Sequence, residues 1–220
     1  MNDKRSRQLS EAIANDEERG GLELPEIPLF PLRSVLFPEG ILPLRIFEPR
    51  YVDMIGWCMR NQVSFGVVLL RTGSDVADKD ADTAPDVFRV GTEAKIIDFN
   101  QADNGLLGIV AQGARKFSIK ESYLQKDGLL KATVEFAREE PLGELTTEHD
   151  PLVAVLRDLM QHPLIQQLNP PIRLEEARSV SYRLADLLPI EPEIKQTLLQ
   201  MNGAKERLTE LARLVTKFAE

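Results

Sequence analysis

Arginine residues near the ends of predicted strands are the side chains in this sequence that could bind an anionic group. Four of them are candidate partner-binding residues: Arg33, Arg45, Arg50 and Arg115. A guanidinium group holds a phosphate or a carboxylate through paired hydrogen bonds. Carboxylates lie close by in the sequence, at Glu39, Glu48 and Asp53. Ordinary ion pairing is therefore the interpretation that we favour, and binding of a phosphate or a peptide carboxylate is the alternative.

The sequence offers few side chains for catalysis or for metal binding. The single cysteine, Cys58, lies on the apolar face of a predicted helix, where a free thiol behaves as a small hydrophobic residue. His149 and His162 lack the spacing of helical zinc ligands and are interpreted as surface or capping residues. The acidic stretch 75–86 lacks the central glycine and the terminal glutamate of an EF-hand loop. We predict no catalytic residue, no cofactor and no metal.

Motifs of nucleotide-dependent and hydrolytic enzymes are also missing from the sequence. It contains no Gly-x-x-x-x-Gly-Lys-Ser/Thr loop, the motif that cradles the phosphates of ATP. It contains neither the Gly-x-Gly-x-x-Gly pattern of dinucleotide-binding folds nor the Gly-x-Ser-x-Gly elbow of many hydrolases. The sequence therefore indicates neither ATP hydrolysis nor a serine hydrolase.

Composition narrows the class of partner and the compartment. The 220 residues are 43% hydrophobic and 28% charged, as in ordinary globular proteins. The net charge of -8 argues against nucleic acid, because surfaces that bind nucleic acid are basic. One cysteine permits no internal disulfide. The segment Met1–Gly21 lacks the apolar core of a signal peptide, and no run approaches the roughly 18 to 20 apolar residues of a membrane span. We expect a cytoplasmic protein with no membrane partner.

The elements that must position these side chains begin with an apolar, proline-rich stretch, Ile27–Tyr51. Its prolines exclude a long helix and predict short strands, with each proline at an edge, a bulge or a turn. A helix is then predicted from Pro49, because proline is tolerated in the first turn. Its apolar stripe has helical spacing: Tyr51, Met54, Ile55 and Cys58.

Strands are predicted along the rest of the first half. Their predicted bounds are Val63–Leu70, Phe88–Phe99, Leu106–Gln112, Arg115–Ile119 and Leu130–Ala137. Gly91 is a predicted bulge within the second of these strands. Asn104-Gly105 predicts a tight hairpin turn between the second and the third.

The apolar period changes to that of a helix after Glu139-Glu140-Pro141. Four helical stripes follow, in 152–159, 177–188, 194–201 and 208–215. We predict a flexible tail at 1–21, a strand-rich subdomain at 22–140 and a helical subdomain at 141–220. Strands followed by helices indicate the α+β class rather than a doubly wound sheet.

Three ordered blocks of the sequence form a further pattern. They are Ile27–Leu44, Phe88–Ile96 with its Val90-Gly91-Thr92, and Asn104-Gly105 followed by Gln112–Phe117. The helical half adds Leu187–Ile190 and Lys195–Leu199. Together these blocks resemble the N-terminal domain of the Lon protease family, also called the Lon substrate-binding domain. The resemblance covers nearly everything from Ile27 onward.

The resemblance implies a fold and a class of function. The implied fold is a PUA-like, mostly antiparallel β-barrel at 22–140 followed by a four-helix bundle at 141–220. The family's ATPase module and its protease module, with a Ser-Lys dyad, have no counterpart in this sequence. We therefore expect a stand-alone, non-enzymatic protein that binds unfolded or exposed polypeptide segments. Its expected partners include a separate protease or a chaperone, and it would act in protein quality control or as an adaptor.

Two alternatives come from other functional classes. PUA-like barrels of other families bind RNA, although the acidic net charge argues against RNA here. A hydrolase that uses Cys58 or His149 is the second alternative, and it would require the fold to bring a distant activating group to one of these side chains.

Overall fold

The computed structural model describes residues 24–71, 84–101, 107–168 and 171–219. The predicted tail 1–21, the acidic residues between Asp75 and Asp82, and the predicted Asn104-Gly105 turn lie outside the described residues.

Six strands and six helices lie within the described ranges. The strands are β1 (Glu26–Leu32), β2 (Ile41–Ile46), β3 (Phe65–Leu69), β4 (Val90–Gln101), β5 (Leu107–Leu124) and β6 (Leu130–Phe136). The helices are α1 (Pro49–Asn61), α2 (Asp150–Met160), α3 (Pro163–Leu168), α4 (Ala177–Leu187), α5 (Pro192–Gln200) and α6 (Ala204–Ala219). A short 3-10 helix at Thr147–His149 precedes α2.

Strand pairing closes five of the six described strands into a ring. The strand order is β2-β5-β4-β3-β1-β6, and β6 also pairs with β5. The strands β5, β4, β3, β1 and β6 thus form a closed ring of pairings, while β2 pairs with the first part of β5 at Leu107–Gln112. β1 and β3 are parallel, and the other pairs are antiparallel. A six-stranded sheet followed by helices confirms the predicted α+β class.

The prolines of the first strands lie where a backbone donor is not needed. Pro28 pairs with β6 alone, and Pro31 pairs with β3 alone. Pro43 lies in β2, which has only β5 as a neighbour among the described strands. Proline cannot donate to a second neighbour, so each proline fits the half-paired position that it occupies.

Two predictions about the strands were wrong, and close backbone contacts explain both. The strands predicted at Leu106–Gln112 and Arg115–Ile119 are one strand, β5, and Gly113 between them pairs with Ala94. A Cβ on Gly113 would lie 2.0 Å from the carbonyl oxygen of Phe37, so glycine is required there by a neighbour. Gly91 is no bulge, because it pairs in register with Phe117 and the register shifts come later in β4.

Helix α1 follows its sequence pattern closely. Pro49 occupies the first turn, and the predicted stripe of Tyr51, Met54, Ile55 and Cys58 is buried. The helix ends at Asn61, and the next residue, Gln62, adopts a left-handed conformation with φ 55° and ψ 40°. That turn directs the chain into β3 and fixes where β3 begins.

The helical half differs from the prediction of four helices by one short element. That element is α3, which begins at Pro163, because a proline is tolerated in the first turn of a helix. The helices pack on the strand-rich half through a shared core. Phe37 and Leu69 from the first half contact a cluster that includes Leu156, Val180 and Leu208 of the second.

A buried ionic cluster also links the two halves, and we call it the ionic joint. Its members are Lys116 of β5, Glu140 of the connecting segment, Tyr182 of α4 and Arg207 of α6. The Glu140 carboxylate accepts hydrogen bonds from Lys116 Nζ and Arg207 Nη2, each at 2.6 Å, and from the Tyr182 hydroxyl. Burial alone would raise the pKa of Glu140, but these three donors outweigh it and hold that pKa below its ordinary value.

Candidate functional site

A groove of about 790 Å³ opens beside the first residue of β3. β3 lies between β1 and β4 in the sheet, but it begins only at Phe65. β1 extends backwards to Glu26, and β4 continues forwards to Gln101. The two flanking strands therefore extend beyond their common neighbour, and the end of α1 lies against the gap. We call this feature the β3 groove.

The two strands that flank the β3 groove are each paired on one side only. Lys95–Gln101 of β4 pairs with β5, and Glu26–Pro28 of β1 pairs with β6. Neighbouring strands lie about 4.8 Å apart, so strands on either side of a missing neighbour lie about 10 Å apart. The gap thus has a half-paired strand edge on each side.

Large apolar side chains line the β3 groove and remain accessible to solvent. Trp57 and Val63 come from the end of α1 and the segment after it, and Ile97 and Phe99 come from β4. Each of these four side chains is between 41% and 60% exposed. Clustering of exposed apolar side chains along one depression is typical of a binding surface.

A buried carboxylate lies at the polar end of the β3 groove. Glu93 accepts a hydrogen bond from the Ser64 hydroxyl at 2.7 Å and from Arg115 Nε at 2.9 Å. Burial alone would raise the pKa of Glu93, but the hydrogen bonds from Arg115 and Ser64 hold it below its ordinary value. The Arg115 guanidinium also stacks on the Phe136 ring, 3.8 Å from its centre. The side chain of Arg115 is still half-exposed, so it is fixed in position and accessible.

A second, smaller cleft of about 290 Å³ adjoins the β3 groove. Arg115 lines both of them, and Phe136 of the groove is followed directly by Ala137 and Arg138 of the cleft. The cleft lies between β5, the segment after β6, and α4. We call it the connector cleft.

The four arginines that the sequence analysis named as candidates lie in different parts of the structure. Arg115 lines the β3 groove. Arg50 forms an ion pair with Glu48 at 2.9 Å and donates to the carbonyl of Gly128 at 2.7 Å, so it anchors the turn before β6. Arg33 and Arg45 are exposed outside the groove lining. Their role in partner binding stays a prediction.

The ion pairs that we favoured from the sequence, between these arginines and nearby carboxylates, form only in part. Arg50 pairs with Glu48 as expected. Glu39, however, pairs with Arg173 of the helical half at 2.7 Å, and its carbonyl accepts from Arg183 at 2.9 Å. Sequence proximity alone could not identify those partners.

Residues missed by the sequence reasoning supply most of the groove. Two features of the sequence could have indicated them. Trp57 is a large apolar residue outside the buried stripe of α1. Ile96, Ile97 and Phe99 break the apolar–polar alternation expected of a half-buried strand. The register shift between Ile96 and Asp98 explains that break.

Cys58, His149 and His162 lie in surroundings that suit a structural role rather than a catalytic one. Cys58 is buried, and burial raises the pKa of its thiol to about 11, so the reactive thiolate is disfavoured. His149 Nδ1 accepts the backbone N–H of Thr146 at 3.0 Å. His162 Nδ1 accepts the backbone N–H of Leu164 at 3.3 Å. Both rings therefore cap the ends of local elements.

Metal binding and membrane insertion find no support in the part of the chain that the structure describes. Its side chains form no group of three or more His, Cys, Asp or Glu that could hold a metal ion. None of its helices combines the length and the apolarity that crossing a bilayer requires.

Comparison with known proteins assigns the family. The model of the ATP-dependent protease La (LON) substrate-binding domain matches residues 26–217. The chain belongs to this family. Among solved structures, a Lon N-terminal domain protein from Xanthomonas campestris is 32% identical, with a TM-score of 0.70 over 86% of this chain and 98% of that one. The N-terminal domain of a Mycobacterium avium complex Lon protease, 18% identical with a TM-score of 0.55, shares the fold over 85% of this chain and 96% of its own.

Full-length relatives are much longer than this chain. The Lon protease of Flavobacterium johnsoniae is 25% identical over 209 residues, which are 90% of this chain and 25% of that protein. Lon protease 2 of Myxococcus xanthus is 29% identical over 210 residues, which are 90% of this chain and 24% of that protein. The chain thus spans about a quarter of the length of the Lon proteases that it matches.

Proposed function

We propose that this Lon substrate-binding domain is a non-enzymatic module that binds exposed segments of other polypeptides in the β3 groove. The observation that carries the proposal is the pair of half-paired strand edges with exposed apolar side chains between them. Membership in a substrate-binding family supports the choice of a polypeptide as the occupant.

The geometry favours binding by strand addition. An extended segment in the gap pairs through its backbone with the open edges of β1 and β4, as peptides do when they add to a sheet. Lys95–Phe99 offers five residues of edge along the groove, which is a length of about 17 Å. Backbone pairing recognises any sequence, so the contacts with Trp57, Ile97 and Phe99 select for segments with large apolar side chains.

Charge in the β3 groove favours a polypeptide over RNA. Three carboxylates, those of Glu26, Glu93 and Asp98, line it beside two cations, Lys95 and Arg115. A groove that tracks a nucleic-acid backbone is lined by a clear excess of cations. An apolar, nearly neutral groove suits an unfolded protein segment.

The finer predictions from the sequence extend the same proposal. We infer that the closed ring of strands corresponds to a PUA-like barrel subdomain at 22–140, and that the helices form a bundle subdomain at 141–220. The buried core shared between the two would hold the groove at a fixed position relative to the helices. The helical half would then face a separate protease or chaperone while the groove holds the client, as an adaptor in quality control would require.

A fluorescence titration tests the proposal, because Trp57 is the only tryptophan of the chain and lines the groove. We expect an extended, apolar-rich peptide to change Trp57 emission in a saturable manner. We expect Phe99→Ser to weaken that binding about tenfold, as the loss of one large apolar contact would.

The matched control is Leu164→Ser, because Leu164 on α3 is 63% exposed, Phe99 is 60% exposed, and Leu164 lies outside the groove lining. This variant should bind the peptide like the parent protein. Equal binding by the parent, Phe99→Ser and Leu164→Ser would place the binding surface outside the groove. The same conclusion would follow if a peptide bound by another measure but left Trp57 emission unchanged.

A further inference from the structure

The connector cleft carries a cation that has no partner among the described residues. Arg138 follows the end of β6, is exposed, and makes no hydrogen bond or ion pair within the described residues. Three further cations line the same cleft: Arg115, Lys116 and Arg178. The whole chain is acidic, with a net charge of -8, so this local concentration of cations stands out from the rest of the chain.

Two of these cations and two of the carboxylates in the connector cleft are already paired. Arg115 pairs with Glu93 at 2.9 Å. Glu140 is held inside the ionic joint by both Lys116 and Arg207. Glu39 is paired with Arg173, which lies outside the cleft lining. Glu139 remains, and its carboxylate lies 2.8 Å from Arg178 Nη1.

The ion pair between Glu139 and Arg178 joins an exposed side chain to a nearly buried one, which favours replacement of Glu139 by another carboxylate. The Glu139 side chain is 82% exposed, whereas the Arg178 side chain is 11% exposed. The Arg178 guanidinium is fixed from behind, because its Nη1 also donates to the carbonyl of Glu140 at 2.5 Å. A fixed cation whose partner is solvated can accept another carboxylate at little cost, since an ion pair with an exposed member contributes little.

The connector cleft and the β3 groove meet at Arg115. Arg115 belongs to both linings, and the chain passes from Phe136 in the groove to Arg138 in the cleft within two residues. The stacked Arg115 and Phe136 form the surface over which a bound segment would leave the groove.

We propose that a polypeptide bound in the β3 groove places a carboxylate in the connector cleft, between Arg138 and Arg178 and next to Arg115. This inference rests on the proposed function, and it specifies the substrate class as an extended apolar segment followed by an acidic group. The acidic group is either a side chain or a free carboxyl terminus, since both present the same chemistry to a guanidinium.

The test compares four peptides that share one apolar segment and a short linker, each titrated against the protein with Trp57 emission as the readout. Three have amidated ends and carry Asp, Asn or Lys after the linker, and the fourth carries Asn with a free carboxyl terminus. We expect the Asp peptide to bind about fivefold more tightly than the amidated Asn peptide, the scale of one exposed ion pair. The Lys peptide should bind most weakly. If the fourth peptide binds more tightly than the amidated Asn peptide, the cleft accepts a free carboxyl terminus. If the two bind with equal affinity, the cleft accepts an acidic side chain instead.

Variants of the protein locate the effect. Arg138→Gln should abolish the preference for Asp over Asn, while Arg157→Gln, which removes an exposed arginine from α2 outside both linings, should retain it. Glu139→Gln should strengthen binding of the Asp peptide, because it removes the competing carboxylate. The preference should shrink between about 0.05 M and about 0.5 M salt.

The failures of the two proposals are distinguishable. If none of the peptides binds, the groove function itself is wrong. If all four bind with equal affinity, or if Arg138→Gln keeps the full preference for Asp, the groove function stands and the acidic-group inference is overturned.

Discussion

The β3 groove and the ionic joint are adjacent on β5, through Arg115 and Lys116, yet they use polar groups in opposite ways. In the joint, four ionisable side chains are buried and satisfy one another, and Arg207 is fully inaccessible to solvent. In the groove, strand edges are half-paired and large apolar side chains are exposed. The joint stabilises the contact between the two halves, whereas the groove leaves bonding capacity for another molecule.

This difference indicates how the chain separates stability from recognition. A buried charge with one partner removed is costly, so the joint tolerates little change. An exposed apolar side chain contributes little to stability, so the groove can vary while the fold persists. Substitutions in the joint should therefore unfold the protein, and substitutions in the groove should change what it binds.

Glu140→Ala provides the most severe test of the joint. It removes the shared acceptor of Lys116, Tyr182 and Arg207 and leaves the two buried cations without a carboxylate to balance their charge. We expect the free energy of unfolding in urea to fall by about 3–5 kcal/mol.

The neighbouring Glu139→Ala is the matched control, because its side chain is exposed. It should change the free energy of unfolding by less than about 0.5 kcal/mol. Similar losses for the two variants would mean that the joint does not hold the halves together.

Acid should weaken the joint before it affects the apolar surface of the groove. The pKa of Glu140 is lowered in the folded state from its ordinary value of 4.5. The unfolded chain therefore takes up a proton first as the pH falls, and stability that is present above about pH 5 is lost as the pH falls through the folded pKa. The loss is about 1.4 kcal/mol for each unit by which the pKa is lowered.

Urea midpoints between about pH 3 and about pH 6 measure this effect. Glu140→Gln should start from a lower stability and show a shallower decline, because its amide does not titrate. Glu93 contributes in the same direction, since its pKa is also lowered. A decline as steep in Glu140→Gln as in the parent would assign the pH dependence to other carboxylates.

Arg115→Gln should cost less stability than Glu140→Ala and should also weaken peptide binding. Arg115 is half-exposed, but the Glu93 carboxylate is buried and would keep only the Ser64 hydroxyl as a side-chain donor, so the free energy of unfolding should fall by about 1–3 kcal/mol. Peptide affinity should fall several-fold, because Arg115 lines both the groove and the cleft. Arg45→Gln, on β2 outside both linings, should leave peptide binding unchanged. A larger loss of binding from Arg45→Gln than from Arg115→Gln would move the binding surface to β2.

Local patterns in the sequence predicted those parts of the fold that depend on neighbouring residues. The buried stripe of α1, the half-paired prolines and the buried strand β3 all follow from spacing within a few residues. The family pattern supplied the remaining outline, since residues 26–217 match its model.

The sequence could not predict the features that depend on distant partners. The ionic joint joins Glu140 to Lys116, 24 residues away, and to Arg207, 67 residues away. The groove exists because β3 begins later than the strands on either side of it, and that offset depends on the register of three strands. Gly91 and Gly113 were misread for the same reason, because the atoms that exclude a Cβ come from other strands and loops.

Hydrogen exchange at the strand edges tests the central claim most directly. Backbone amides of Lys95–Gln101 and of Glu26–Ile27 would be followed with and without a saturating apolar peptide. The open edge of β2, Ile41–Ile46, serves as an internal control. Strand addition in the β3 groove predicts new protection in β4 and β1 and none in β2. Protection confined to β2, or no change at any edge while the peptide is bound, would contradict it.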